Sequence, residues 1–124
     1  MEHEDLKKRT KAFALHIINL YSSLPKRPEA QVIGRQILRS GTSVGANYRE
    51  GSRARSKQEF IAKLGICLQE LEETAYWLEL LVDSGLVKQD VVAPLLKEND
   101  ELTAIFVSSI NTLKKRRKKK SDAF

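Results

Sequence analysis

Four arginines in the first half of the sequence have the type and spacing needed to bind phosphate. Placed on a helix at about 100° per residue, they fall within a sector of about 80° and form a stripe about 27 Å long. The members of this arginine stripe are Arg35, Arg39, Arg49 and Arg53. Guanidinium groups bind phosphate oxygens through paired hydrogen bonds, but they pair equally well with carboxylates. The stripe therefore predicts a nucleic-acid surface, ion pairs within or between subunits, or simply a solvated charged face.

A run of consecutive basic side chains near the end of the sequence is a second candidate phosphate-binding element. Its members are Lys114, Lys115, Arg116, Arg117, Lys118, Lys119 and Lys120. Because neighbouring like charges repel, we expect residues 114–124 to form a disordered, solvated tail. Such a polycation binds phosphates without sequence preference, although a lysine-rich tail can also serve solubility alone.

The net charge of +6 hides a strong separation of charge along the sequence. Residues 35–57 hold six basic and one acidic side chain, whereas residues 58–113 hold three basic and ten acidic ones. Residues 1–113 are neutral as a whole, so the excess comes from the tail. Because net charge alone reports on loose association, the position of the charges is the better guide to a partner. The acidic segment is expected either to face solvent or to meet the basic segment of a neighbouring copy.

Side chains that could support catalysis are few, and they do not form a catalytic pattern. His3 and His16 lack the spacing of a metalloprotease site, and no histidine follows a glutamate of the acidic segment by three residues, as a di-iron bundle requires. Cys67 lies on the apolar stripe of a helix, which predicts a buried thiol rather than a nucleophile. We therefore expect no catalytic residue, no metal site and no cofactor, and a protein that is not an enzyme.

Apolar residues recur at the spacing of a helical stripe in four segments. They predict helices over residues 4–22 and 29–52, a third from the capping box at Ser56 and Glu59 to just before Gly85, and a fourth from between residues 88 and 95 to about 115. Gly41 and Gly45, four apart in the second helix, predict the close approach of another helix. The fold class is therefore all-α, an antiparallel up-and-down four-helix bundle over residues 1–113 followed by the basic tail, residues 114–124.

The composition also predicts a cytoplasmic protein that does not enter the membrane. The single cysteine excludes an internal disulfide, and the acidic first residues are unlike those of a signal peptide. The most apolar stretch, residues 75–82, is far shorter than the roughly 20 residues of a membrane helix.

Four short stretches resemble one known family. They are residues 39–52 (RSGTSVGANYREGS), 56–60 (SKQEF), 64–68 (LGICL) and 70–74 (ELEET). In these stretches the sequence resembles the 23S rRNA intervening-sequence proteins, four-helix bundles first noticed in reading frames inserted within bacterial 23S rRNA genes. The resemblance extends over residues 6–113. The sequence is more distantly similar to the accessory variability protein of diversity-generating retroelements. That protein is a basic pentamer that binds nucleic acid and a reverse transcriptase.

The resemblance implies an up-and-down bundle that assembles into a ring, often a homopentamer, and a second helix that continues through its glycines. The residues that match the family signature are Ser43, Asn47, Glu50, Gly51, Glu59 and Phe60. We interpret Ser43, Asn47 and Gly51 as packing or hydrogen-bonding positions near the turn between the second and third helices, not as catalytic groups. Gly45 stands where the family usually has alanine, which should loosen the second helix slightly.

Two functions follow from these observations. In the first, a homo-oligomeric RNA-binding module holds phosphates on the arginine stripe and the basic tail. In the second, the chain is a scaffold or accessory subunit, for example of a reverse transcriptase, and the arginine stripe is used between subunits.

Overall fold

The structure, a computed structural model, describes the backbone of residues 3–122 and the side chains of residues 5–116. Four helices make up nearly all of it, and no strand occurs in this range. The helices are α1 (His3–Ser23), α2 (Pro28–Ser52), α3 (Lys57–Asp83) and α4 (Gln89–Asp122). The predicted all-α four-helix fold is confirmed, and the glycines of the second helix do not interrupt it.

The helix ends follow from local chemistry. Pro28 occupies the first turn of α2, where a missing N–H costs nothing. At the start of α3, the Ser56 hydroxyl accepts a hydrogen bond from the N–H of Glu59 at 3.1 Å. The Glu59 carboxylate accepts from the N–H of Arg55 at 3.0 Å, one residue before the donor that a capping box predicts. Gly85, with φ +77°, supplies the left-handed residue just after α3.

Helix α4 is longer than the sequence pattern predicts, because it runs on to Asp122 through most of the segment expected to form a separate tail. Leu113 is the last residue of α4 that packs on the core among the residues with described side chains, and Lys114, Lys115 and Arg116 are exposed. Lysine and arginine are good helix formers, so the helical backbone continues beyond the last apolar contact.

Consecutive helices are neighbours, and α4 returns to α1 through a much smaller contact. Since each helix runs opposite to the one before it, the start of α1, the connection between α2 and α3, and the final turns of α4 lie at one end of the bundle. The core that joins the helices includes Phe13, Ile37, Leu71 and Phe106.

Several polar groups inside the bundle are paired across helices, whereas buried Trp77 Nε1 has no partner among the described residues. The hydroxyls of Ser40 and Thr74 lie 2.7 Å apart, and Asn99 Nδ2 donates to the carbonyl of Leu71 at 3.0 Å. Cys67 is buried, as predicted, and its Sγ lies 3.4 Å from the carbonyl oxygen of Val44. Burial raises the pKa of this thiol to about 12, so it stays protonated at neutral pH.

Helices α1 and α2 approach closely at two glycines, as predicted. A Cβ at Gly41 would lie 2.7 Å from Ile17 Cγ1, whereas a Cβ at Gly45 would lie 3.3 Å from Thr10 Oγ1. The first distance is too short for any real carbon contact, and Ile17 is fully buried. Gly41 is therefore required by packing far more strictly than Gly45.

We expect the two alanine substitutions to separate these cases. Gly41→Ala should lower the free energy of unfolding by about 1–2 kcal/mol, because the cost of overpacking exceeds the gain of about 1 kcal/mol in helix propensity. Gly45→Ala should change it by less than about 1 kcal/mol. Urea unfolding of both variants measures the difference, and equal destabilisation would show that Ile17 moves aside without cost.

Candidate nucleic-acid interface

Two basic segments far apart in sequence meet at one end of the bundle. The exposed residues of this surface, called the basic end below, are Arg49, Arg53, Arg55, Lys57, Lys114, Lys115 and Arg116. Arg116 lines a cavity together with Tyr48 of α2 and Phe60 of α3, so the final turns of α4 lie directly beside the connection between α2 and α3. The structure thus brings Arg49 and Arg53 of the arginine stripe close to Lys114, Lys115 and Arg116 of the basic run. Arg117, Lys118, Lys119 and Lys120 belong to α4, but their side chains lie outside the described residues.

The side chain of Arg39, a member of the arginine stripe, forms ion pairs with two glutamates of α3. Its Nη1 donates to Glu70 Oε2 at 3.2 Å, and its Nη2 donates to the carboxylate of Glu73. Both glutamates lie on the side of α3 that faces α2, next to Thr74, which meets Ser40. The predicted continuous stripe is therefore divided, and its second member is engaged in an intramolecular ion pair.

The other three members of the stripe, Arg35, Arg49 and Arg53, are exposed. Within the part of the chain that the structure describes, none of them forms an ion pair. Arg49 and Arg53 belong to the basic end. Arg35 lies about 21 Å from Arg49 along the helix axis, so it forms a separate positive point on the outer face of α2.

Three residues of the family signature, Glu50, Gly51 and Phe60, make contacts within the hairpin of α2 and α3, whereas Asn47 bonds to Ser43 within α2. Glu50 Oε2 accepts from Lys63 Nζ at 2.7 Å, and Asn47 Nδ2 donates to the carbonyl of Ser43 at 2.9 Å. A Cβ at Gly51 would lie 2.9 Å from Lys63 Cβ and 3.2 Å from the Phe60 ring. Together with the Glu59 cap described above, these contacts position the turn that carries Arg53 and Arg55.

An ion pair that sequence reasoning missed joins α1 to α4. Arg9 Nη2 and Nε donate to the two carboxylate oxygens of Glu98 at 2.6 and 2.9 Å, and Nη2 also lies 3.1 Å from Glu101 Oε2. The hydrogen bond from Arg9 lowers the pKa of Glu98 below its ordinary value of 4.5. Glu98 and Glu101 are three residues apart and share a helix face. A local sequence pattern does not predict that their partner is Arg9, which is 89 residues from Glu98.

The two histidines and the other potential metal ligands do not form a site among the described residues. His16 is exposed beside Glu98 in the cleft between α1 and α4, and the side chain of His3 lies outside the described residues. Among the described residues, no group of three or more histidine, cysteine, aspartate or glutamate side chains could hold a metal ion. None of the helices over the described residues contains an apolar stretch of the length that a membrane span needs.

Comparisons with known proteins agree with the fold and extend over nearly the whole chain. A family model described as 23S rRNA-intervening sequence protein matches residues 2–108. A crystal structure of a protein of unknown function from the S23 ribosomal protein family of Bacteroides thetaiotaomicron is 39% identical, with a TM-score of 0.83. The match covers 90% of this chain and 99% of that one. No protein with a curated description matches the chain.

The pairing of Arg9 with Glu98 predicts a pH-dependent stability. Because the pKa of Glu98 is lowered by folding, the pair stabilises the protein above the unfolded carboxylate pKa and loses this effect as the pH falls through the folded pKa. Arg9→Gln should cost about 1 kcal/mol of unfolding free energy at pH 7, and clearly less once the pH has fallen below the lowered folded pKa of Glu98.

Urea unfolding at several pH values measures this difference. Arg27→Gln is the matched control, because Arg27 pairs with Glu29 in an exposed position and its loss should have almost no effect. A cost for Arg9→Gln that does not depend on pH would contradict the role assigned to the ion pair.

Proposed function

Since the chain belongs to the 23S rRNA-intervening sequence protein family, we propose that it is a non-enzymatic RNA-binding protein that holds phosphates at its basic end. The observation that carries this proposal is the meeting of two basic segments, residues 49–57 and 114–116, on one end of the bundle. The exposed basic side chains there outnumber the described acidic ones, of which Glu50 pairs with Lys63 and Glu59 caps α3. The names of the family and of its solved relative, which refer to ribosomal RNA and to a ribosomal protein, support RNA as the nucleic acid.

The chemistry of the basic end suits a phosphate backbone. Its side chains are exposed, so little of their hydration is already lost, and each contact releases condensed counterions from RNA. Phosphate contacts of this kind position a protein but carry no sequence information. The proposed binding is therefore strong at low salt and nearly independent of base sequence. Arg35 extends the positive surface along α2, whereas Arg39 contributes little because Glu70 and Glu73 already neutralise it.

Salt dependence of RNA affinity tests this function. For the full-length protein and a fluorescent structured RNA, log affinity should fall linearly with log salt, and Arg53→Gln or Arg116→Gln should each reduce the slope by about 0.7–0.9. Lys26→Gln and Lys88→Gln are controls of the same charge change, because both lysines are exposed at the opposite end. Fluorescence anisotropy between 50 and about 300 mM salt measures the slopes. A flat salt profile, or equal effects at both ends, would contradict the proposal.

A second candidate function, assembly into a scaffold, is favoured by large apolar side chains on the outer faces of the helices. These are Leu15, Ile18, Val32, Tyr76, Val91 and Val107. In this proposal the chain forms a homo-oligomer such as a pentameric ring, in which Arg35 faces exposed carboxylates of a neighbouring copy, for example Glu72 or Glu79. A head-to-tail contact of this kind closes into a ring when the rotation per subunit allows it. The ring would then present a surface to a protein such as a reverse transcriptase.

Light scattering after size exclusion separates the two functions. Arg35→Glu reverses the charge at the proposed interface and should dissociate the oligomer, whereas Lys26→Glu should not. An oligomer that persists in Arg35→Glu while RNA affinity falls would favour RNA binding. A wild-type chain that is monomeric at micromolar concentration would contradict the scaffold.

A further inference from the structure

A cavity of about 430 Å³ opens at the basic end, where all four helices meet. Leu6 comes from α1, Tyr48 from α2 and Phe60 from α3, while α4 forms one wall from Ser108 to Arg116. The volume lies within the range of small-molecule sites in proteins. The cavity adjoins the phosphate-binding surface proposed above, so a ligand that carries phosphate could reach both at once.

The lining of the cavity is partly aromatic. The rings of Tyr48 and Phe60 have centroids 6.5 Å apart and planes tilted by 30°, and Phe106 meets the Tyr48 ring edge-on at 5.8 Å. Phe60 is only half-buried, so part of its ring faces the cavity. Tyr48 is only 2% exposed, so the Phe60 ring is the aromatic surface that a ligand can reach. An exposed aromatic face stacks on unpaired nucleobases, whatever the base.

The α4 wall carries three hydroxyl groups with no partner among the described residues. Several serine and threonine side chains elsewhere in the helices donate to a carbonyl one turn earlier, as Thr42 does to Leu38 and Thr103 does to Asn99. The hydroxyls of Ser108, Ser109 and Thr112 form no such bond, and all three line the cavity. A hydroxyl can donate and accept, so this row can bind the polar edge of a base.

We propose that the cavity binds one unpaired nucleobase of RNA, with its phosphate on Arg116 at the exposed edge. The proposal rests on the proposed RNA-binding function and adds the class of RNA that is preferred. In a paired A-form helix, base faces are stacked and hidden, so a duplex can use the basic end but not the cavity. A single-stranded loop or bulge can use both.

Two RNAs with the same number of phosphates provide the test, one a full duplex and one a hairpin with an unpaired loop. Full-length protein should bind the loop RNA about tenfold more tightly at a fixed salt concentration. In the double variant Ser109→Ala with Thr112→Val, this preference should fall to about twofold or less, while affinity for the duplex and the salt slope stay unchanged. Thr103→Val is the matched control, because it removes a hydroxyl from the same helix outside the cavity, and it should keep the preference.

A variant that fills the cavity also tests whether the cavity causes the preference for unpaired RNA. Ser109→Leu should abolish the preference for unpaired RNA without lowering the melting temperature, since the added side chain enters existing space. Salt-dependent binding to both RNAs with no preference in the wild type would overturn the cavity proposal and leave the proposed function standing. A preference that survives both the double variant and Ser109→Leu would also overturn it. No binding to either RNA would overturn both proposals.

Discussion

The close packing of α2 between α1 and α3 is the constraint on which the rest of the structure depends. On the α1 side, there is no room for a Cβ at Gly34 or Gly41. A Cβ at Gly34 would lie 2.5 Å from Leu24, and one at Gly41 would lie 2.7 Å from Ile17. On the α3 side, Gly51 meets Lys63 and Phe60, and Ser40 shares a hydrogen bond with Thr74. Two sides of α2 are thus occupied by neighbouring helices, and the remaining side is where the arginine stripe lies. Small residues in α2 therefore allow the close packing of the bundle, and the helical positions of the arginines place them away from the packed faces.

The antiparallel connection of the helices decides where the charges come together. Residues 49–57 and residues 114–116 are separated by most of two helices in sequence, yet they share one end because α3 runs away from it and α4 returns to it. The acidic side chains of α3 and α4 are used differently along their length. Some form pairs across helices, as Glu70 and Glu73 do with Arg39 and Glu98 does with Arg9, and others face solvent. A chain that is neutral over residues 1–113 thereby has a basic end suited to phosphate.

Intramolecular ion pairs change which arginines can serve a partner. Exposed ion pairs contribute little to stability, so the pairing of Arg39 matters less for the fold than for the loss of a free positive charge on the stripe. The pair of Arg9 and Glu98 is less exposed and has two parallel hydrogen bonds, and it joins α1 to α4, the neighbouring helices that contact each other least. Arg39 and Arg9 thus have different roles. Arg39 faces α3 and loses its free charge, whereas Arg9 faces α4 and joins two helices.

The sequence by itself determined what is local to a helix. Apolar periodicity located the four helices, the pairing of Ser56 with Glu59 located the start of α3, and the phase of the arginines showed that α2 continues through Gly41 and Gly45. It placed Cys67 in the core for the same reason. Only the tertiary structure decided that Arg39 pairs with α3, that Arg9 pairs with a carboxylate 89 residues away, and that α4 joins the other helices around a cavity at the basic end. The physical reason is that periodicity reports which face of a helix is apolar, whereas ion pairs and cavities depend on which faces of different helices meet.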